Sequence, residues 1–202
     1  MMSDIDGLEF VRMIRSDVNY SHIPIILLSA KTENSIKVEG LHSGANVFIE
    51  KPFSILYLRA QINSLLENRK AILETFNRSP LASYSLLATN KRDSEFLDRL
   101  NTEIENHLSD VDFSIESLTD ILAISRSNLQ RKIKSICDMT PVDYLRNYRL
   151  KKACKYLLET DMRINEVAYE VGFNSASYFT KCFIKQYGML PKDFVKRNQG
   201  EN

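Results

Sequence analysis

The stretch SRSNLQRKIKSICDMTP at residues 125–141 returns fifty residues later as SASYFTKCFIKQYGMLP at residues 175–191. Both copies begin with serine, place an apolar residue at the fifth and ninth positions, and end in proline. The segment before each copy also repeats, since the apolar residues of 115–123 match those of 164–172 at an offset of 49. A unit that occurs twice in one chain indicates a duplicated supersecondary structure.

Each unit is predicted to be a short helix, a tight turn at a small residue, and a second helix that serine caps. Serine favours this position because its hydroxyl accepts a free backbone N–H of the first turn. This order is typical of a helix-turn-helix, whose second helix enters the major groove of DNA by its N-terminal residues. The pattern therefore predicts two such motifs, and double-stranded DNA is their expected partner.

Between the two units lies the segment PVDYLRNYRLKKACKYLLET, residues 141–160, which opens with Pro141 in the favoured first-turn position of a helix. Roughly 20 helical residues at about 1.5 Å each span about 30 Å, close to the roughly 34 Å between successive major-groove faces. One stiff helix could thus hold two reading helices one DNA turn apart.

Charge is distributed unevenly along the 202 residues, although the net charge is only +1. Residues 112–198 carry a net charge of +5, whereas residues 1–111 carry −3. Clustered Lys and Arg favour binding to a polyanion. The C-terminal part is therefore expected to make the contact with nucleic acid.

Residues 94–198 resemble the DNA-binding domain of the AraC/XylS family of transcription regulators. The run INEVAYEVGFNSASYFTKCFIKQYGMLPKDF, residues 164–194, is the most specific part of this resemblance. The resemblance implies an all-α domain in which a helix bridges two helix-turn-helix motifs and which binds DNA to control transcription. RNA polymerase is a further candidate partner.

Side chains at the start of each second helix are the candidate DNA contacts. Arginine can bind guanine through two hydrogen bonds, and asparagine or glutamine can bind adenine in the same way. Phosphate contacts position the protein without reading sequence. We expect base contacts from Arg126, Ser127, Asn128, Gln130, Arg131, Ser175, Ala176, Ser177 and Lys181, and phosphate contacts from Lys132, Lys134, Tyr178 and Lys185. The second unit has fewer long polar side chains at the start of its second helix, so it is expected to contact mainly the DNA backbone.

Arg149 falls within the apolar stripe of the bridging segment on a helical wheel. A partly buried guanidinium needs a partner that offsets its desolvation. Glu166 is the candidate carboxylate for this ion pair.

Residues 1–77 alternate helical and extended patterns and end in a helix with an apolar stripe from Ser54 to Phe76. The alternation predicts a parallel α/β sheet, and two strands are only part of one. The predicted fold class is mixed: a partial α/β, flavodoxin-like half followed by the all-α domain. Residues 78–93 contain Pro80, are rich in Ser, Asn and Thr, and show no period, so they are predicted to be a flexible linker.

Ser29 lies at the end of the predicted strand IPIILLSA, Phe48 lies in the second predicted strand, ANVFIEKP, and Lys51 precedes Pro52. With these residues the N-terminal half resembles the C-terminal part of a response-regulator receiver domain, in which Phe48 would occupy the aromatic switch position. The resemblance implies that the lysine would pair with a phosphoryl group, the hydroxyl would bind it, and the aromatic ring would move. The opening MMSDIDG matches the end of the acceptor loop, with Ser3 in place of proline and Asp4 and Asp6 as poor substitutes for the acceptor.

Two origins explain the lack of an acceptor aspartate and of acidic Mg²⁺ ligands in this part. The chain is either a fragment of a longer regulator, such as the tail of a hybrid sensor kinase, or a short form that cannot be phosphorylated. In both cases an open strand edge would favour pairing with a second copy. The helix from Ser54 to Phe76 could add a dimer contact, although packing on its own sheet is the commoner role.

Other classes of function find little support. The three cysteines are widely spaced, the three histidines lie in no metal-ligand spacing, and no phosphate-binding glycine loop occurs. We therefore expect no enzyme, metal or cofactor. The longest apolar run, residues 23–28, is too short to cross a membrane, so a cytoplasmic protein is expected. The alternative function is a decoy that cannot be phosphorylated and acts through its receiver half.

Overall fold

The computed structural model describes residues 6–17, 20–30 and 33–200. Its N-terminal segment contains two helices and two strands in alternation: α1 Gly7–Ser16, β1 Ile26–Ser29, α2 Asn34–His42 and β2 Val47–Glu50. The strands are parallel, with Ile26 opposite Val47. The predicted alternation is confirmed, and the sheet has two strands within the described ranges.

Arg15 of α1 fastens this segment together. Its guanidinium donates to the carbonyl oxygen of Gly44 at 2.8 Å and to Asn46 Oδ1 at 2.9 Å. It also donates to the carbonyl oxygens of Ser21 at 2.8 Å and Ile23 at 2.7 Å. One side chain thereby connects α1 to the loops that precede both strands.

The remainder of the described chain is helical. After the long helix α3 (Ile55–Arg78) comes a 3-10 helix, Tyr84–Leu87. Seven α-helices follow: α4 Lys91–Asn106, α5 Ile115–Leu122, α6 Arg126–Cys137, α7 Pro141–Glu159, α8 Ile164–Glu170, α9 Ala176–Tyr187 and α10 Pro191–Gln199. They share one continuous core, in which Tyr144, Phe179 and Phe183 are fully buried.

Residues 78–93 do not form the flexible linker that their composition suggested. Tyr84 and Leu87 are buried in the core of the helical domain, and α4 already begins at Lys91. The Tyr84 hydroxyl donates to Asn147 Oδ1 at 2.9 Å. Although the segment is short, the buried side chains of Tyr84 and Leu87 fix it to the helical domain.

The C-terminal half of α3 packs on the helical domain and not on its own sheet. Phe76 is completely buried, and its ring meets the Tyr84 ring edge-on at 4.8 Å. Lys151 Nζ donates to the carbonyl oxygens of Phe76 at 3.1 Å and of Ser79 at 2.5 Å, which satisfies the end of the helix. The N-terminal half of α3 leaves large apolar side chains exposed: Ile55, Leu56, Tyr57, Ile62 and Leu66.

The predicted Arg149–Glu166 pair is wrong. Arg149 donates to the carbonyl oxygens of Gly172 at 2.9 Å and of Asp110 at 2.6 Å. Glu166 Oε2 instead accepts the backbone N–H of Arg163 at 2.7 Å and so caps α8. The guanidinium is partly buried as expected, but its hydrogen bonds go to backbone carbonyl oxygens of two turns instead of the Glu166 carboxylate.

Candidate nucleic-acid interface

The two helix-turn-helix units are built alike at their turns. Ala123, after α5, and Gly172, after α8, both adopt the left-handed conformation, with φ of 54° and 77°. Ser125 then caps α6 and Ser175 caps α9, each hydroxyl accepting a backbone N–H three residues on at 3.2 Å. The sequence repeat is thus confirmed as a repeat of backbone geometry and capping.

The second helix of each unit ends in the same way and buries the same positions. Asp138 after α6 and Gly188 after α9 are left-handed, with φ of 56° and 71°. The paired apolar positions are completely buried in both units, as the repeat predicted: Leu129 with Phe179 and Ile133 with Phe183. Because one face of each helix is committed to the core, its opposite face is available to a ligand.

Helix α7 bridges the units. Thr140 caps it by accepting the Asp143 backbone N–H at 3.2 Å, and Pro141 occupies its first turn. Its 19 residues extend about 28 Å at about 1.5 Å each. It packs against α4, α6, α8, α9 and α10, so it is the central helix of the helical domain.

Helices α6, α7 and α9 border an open cleft of about 810 Å³, which Asn77 of α3 also lines. Lys134 near the end of α6 and Tyr178, Lys181 and Lys185 of α9 line it together with side chains of α7. The second helices of both units therefore border one space, with the bridging helix between them.

Positive charge predominates in this cleft. Its lining includes the cations Lys134, Arg146, Lys181 and Lys185 and the carboxylates Asp138 and Asp143. Two of the cations are paired: Lys134 Nζ lies 2.6 Å from Asp138 Oδ1, and Arg146 Nη1 lies 2.8 Å from Asp143 Oδ1. Lys181 and Lys185 form no ion pair with the described residues. The cleft therefore suits an anion.

The predicted base contacts of the first unit lie on the outer face of α6. Ser127 and Gln130 are exposed. Arg126 is also exposed and places Nη1 2.6 Å from Glu116 Oε1. Arg131 donates to Asn128 Oδ1. The exposed groups among them are accessible to a ligand, and Arg126, Asn128 and Arg131 are held by neighbouring side chains.

The predicted contacts of the second unit divide into two groups. Ser177, Tyr178, Lys181 and Lys185 are exposed on α9. Ser175 is half-buried and caps the helix, while half-buried Ala176 packs against the core. Ser175 and Ala176 thus have structural roles in the helix cap and the core, and their base contacts stay predictions.

Lys132 is not on the exposed face. Its side chain is 3% exposed, and its Nζ lies 2.6 Å from Asp93 Oδ1 and 2.6 Å from Ser21 Oγ. Burial opposes ionisation of Asp93, but hydrogen bonds from Lys132, Thr89 and Ser21 outweigh it and lower the pKa of this carboxyl. The predicted phosphate contact by Lys132 is therefore wrong, because the side chain points into an internal ion pair.

The predicted receiver residues lie at the sheet. The Lys51 backbone N–H donates to the Ser29 carbonyl oxygen at 2.8 Å, so both lie where the parallel strands end. Phe48 is half-buried, and its ring faces Gly40 of α2, where an added Cβ would lie 3.2 Å away. Asp6 directly precedes α1, whereas Ser3 and Asp4 lie outside the described residues.

Within the described ranges, no helix is long and apolar enough to span a bilayer.

Comparison with known proteins identifies both parts of the chain. A family model described as a response regulator receiver domain matches residues 1–63, and one described as a helix-turn-helix domain matches residues 118–197. The chain is 32% identical over 197 residues to "Histidine kinase P4" of Formosa agariphila, covering 98% of this chain and 14% of that protein. It is 32% identical over 144 residues to the transcriptional activator RhaS of Mannheimia succiniciproducens, covering 65% of this chain and 53% of that protein.

A solved structure is also similar, namely the C-terminal domain of AraT, a response regulator from Geobacillus stearothermophilus. It shares 31% identity, with a TM-score of 0.46, over 50% of this chain and 83% of that chain. The chain spans 14% of the Formosa agariphila histidine kinase P4 and 53% of the Mannheimia succiniciproducens RhaS. It joins a response regulator receiver segment to an AraC-type helix-turn-helix domain of the DNA-binding, transcription-regulating class.

Proposed function

We propose that this chain binds DNA sequence-specifically to regulate transcription and that its two helix-turn-helix units occupy successive major grooves. The carrying observation is the shared cleft: α6 and α9 border one positively charged space across α7. A bridging helix of about 28 Å is close to the roughly 34 Å between neighbouring major-groove faces. The geometry therefore favours one duplex that touches both units.

Base reading falls to the exposed side chains at the start of the second helices. In α6 these are Arg126, Ser127, Gln130 and Arg131, together with the half-buried Asn128, and in α9 they are Ser177 and Lys181. Arg126 must leave Glu116 to reach a base, but ion pairs between exposed side chains are worth only about 0–1 kcal/mol. Lys134, Lys185 and Tyr178 are proposed phosphate contacts.

We infer that this regulator acts in two-component signalling. The Lys51 backbone N–H donates to the Ser29 carbonyl oxygen where the strands end, which supports the proposal that both residues belong to one receiver site. The receiver family match and the similarity to a protein named as a histidine kinase support the same context. We infer that phosphorylation in a complete receiver would bias DNA binding through α3, since α3 contacts both the 3-10 helix and α9.

Titration with duplex DNA tests the proposal. A library of random duplexes yields a preferred sequence, and fluorescence anisotropy then measures its affinity and that of an unrelated duplex at several salt concentrations. We expect log K to fall linearly with log salt for both, because each phosphate contact releases a condensed counterion. The preferred duplex should also bind more tightly at every salt concentration.

A decoy that acts only through its receiver half has no structural feature in its favour. Such a protein would select no sequence from the library and would show no steep salt dependence. That outcome would contradict DNA-binding regulation. Selection of a sequence by the wild-type chain would instead exclude a pure decoy.

A further inference from the structure

Helix α7 contributes a cation to the cleft that the sequence repeat does not reveal. Arg146 lines the cleft beside Lys134 of α6 and Lys181 and Lys185 of α9. Its side chain is 32% exposed and ion-paired with Asp143. Arg146 therefore lies between α6 and α9, on the helix α7 that separates them.

The neighbouring Asn147 supplies a second, independent observation. It is 3% exposed, and its Oδ1 accepts from the Tyr84 hydroxyl at 2.9 Å. Asn147 lines the same cleft, and its Nδ2 is buried without a hydrogen-bond partner. A buried donor without a partner is unfavourable because nothing offsets its desolvation, so a bound acceptor would relieve it.

Asn77 of α3 also lines the cleft. Its Oδ1 is also buried without a partner, and as an acceptor it cannot bind a phosphate oxygen directly. An ordered water could donate to Asn77 and bridge to an anion held by the cations. The combination fits a hydrated phosphate.

We propose that Arg146 is a further DNA-backbone contact, and that the cleft receives a phosphate of the stretch between the two major grooves. This inference rests on the proposed function, because it assumes that α6 and α9 occupy those grooves. A guanidinium suits the role, since its planar donors match a phosphate in two-point geometry. Arg146 would exchange Asp143 for that phosphate.

Asp143 opposes this exchange. Its Oδ2 accepts from the Thr140 hydroxyl at 2.7 Å, and its backbone N–H donates to the same hydroxyl oxygen. The carboxylate therefore stays beside the cleft after Arg146 leaves and repels the incoming phosphate. Asp143→Asn keeps an acceptor for Thr140, removes the charge and should tighten DNA binding.

The experiment compares four variants of the full chain by anisotropy, on the preferred and on an unrelated duplex. Arg146→Gln removes the charge while its amide can still bond Asp143. Arg146→Lys restores a point charge, and Asp143→Asn frees the arginine. Lys155→Ala is the control, because Lys155 borders a different pocket, near Pro80, and pairs with Glu159 at 3.8 Å.

Arg146→Gln should weaken binding to both duplexes equally and reduce the slope of log K against log salt by about one. Its defect should be about threefold larger at about 50 mM than at about 200 mM salt. Arg146→Lys should recover the wild-type salt slope. Asp143→Asn should tighten binding to both duplexes, and Lys155→Ala should bind both with the wild-type affinity and salt slope.

The outcomes separate this inference from the function on which it rests. If the wild type selects and binds DNA but Arg146→Gln keeps the wild-type slope, Arg146 is not a backbone contact and the inference is overturned. If the wild type itself binds no DNA, the proposed function fails first. Urea unfolding of each variant confirms that changes in affinity are not losses of fold.

Discussion

Asp93 and Lys132 form a buried ion pair across 39 positions of the chain, with Oδ1 and Nζ 2.6 Å apart. Ser21 Oγ donates to the same carboxylate oxygen at 2.9 Å, and Asn90 donates to the Ser21 carbonyl oxygen at 2.6 Å. The pair therefore joins a loop of the receiver segment, the start of α4, and the second helix of the first unit. Arg69 of α3 adds a further tie by donating to the Ile136 carbonyl oxygen near the end of α6.

Lys132→Met should destabilise the protein by about 3–5 kcal/mol, because it leaves the Asp93 carboxylate buried without its counter-charge. Urea unfolding measures the loss. The double change Lys132→Met with Asp93→Leu should recover much of it, since no charge then remains buried. The salt slope of DNA binding should equal that of the wild type under conditions where Lys132→Met is folded; a slope smaller by one would contradict the internal role of Lys132.

The Asp93 carboxyl should make stability depend on acid pH. Its pKa is lowered in the folded chain, so its contribution is complete above the unfolded pKa of about 3.9 and is lost as pH falls through the lower folded pKa. The difference in unfolding free energy between wild type and Asp93→Asn should be constant above about pH 5 and shrink below about pH 4. A difference that grows on acidification would show that the carboxyl is protonated in the folded state.

Gly172→Ala should destabilise the chain strongly. Residue 172 has a φ of +77°, and an added Cβ would lie 2.4 Å from the Leu108 carbonyl oxygen. Left-handed backbone alone costs an alanine about 1–2 kcal/mol, and the clash adds to this cost. Gly188→Ala is the matched control, because its φ is +71° but nothing lies within 4 Å of the added Cβ. Equal losses of melting temperature in both variants would contradict the steric argument.

Arg131→Ala and Lys185→Ala should separate base reading from backbone contact. Arg131 is exposed on α6, so its loss should cost about 1–3 kcal/mol on the preferred duplex and relax one base position. Lys185 lines the cleft, so its loss should weaken all duplexes alike and reduce the salt slope by about one. Selection from a random library with each variant measures both effects. Uniform weakening by both changes would show that this assignment of roles is incorrect.

The sequence by itself determined the features that depend on neighbours along the chain. The repeat at residues 125–141 and 175–191 predicted the helices, the serine caps and the buried apolar positions, because capping and helical periodicity are local. Ser125 and Ser175 cap α6 and α9 as expected, and Leu129 and Phe179 are buried. Helix α3 was predicted within two residues of its observed ends.

Only the tertiary structure decided which polar groups meet. Lys132 and Lys134 are two residues apart in one basic run, yet one is buried against Asp93 and the other borders the cleft. Tyr84 and Leu87 anchor a segment whose polar composition resembled a linker. The physical reason is that burial and ion pairing depend on the residues opposite each helix face, and those residues come from distant parts of the chain.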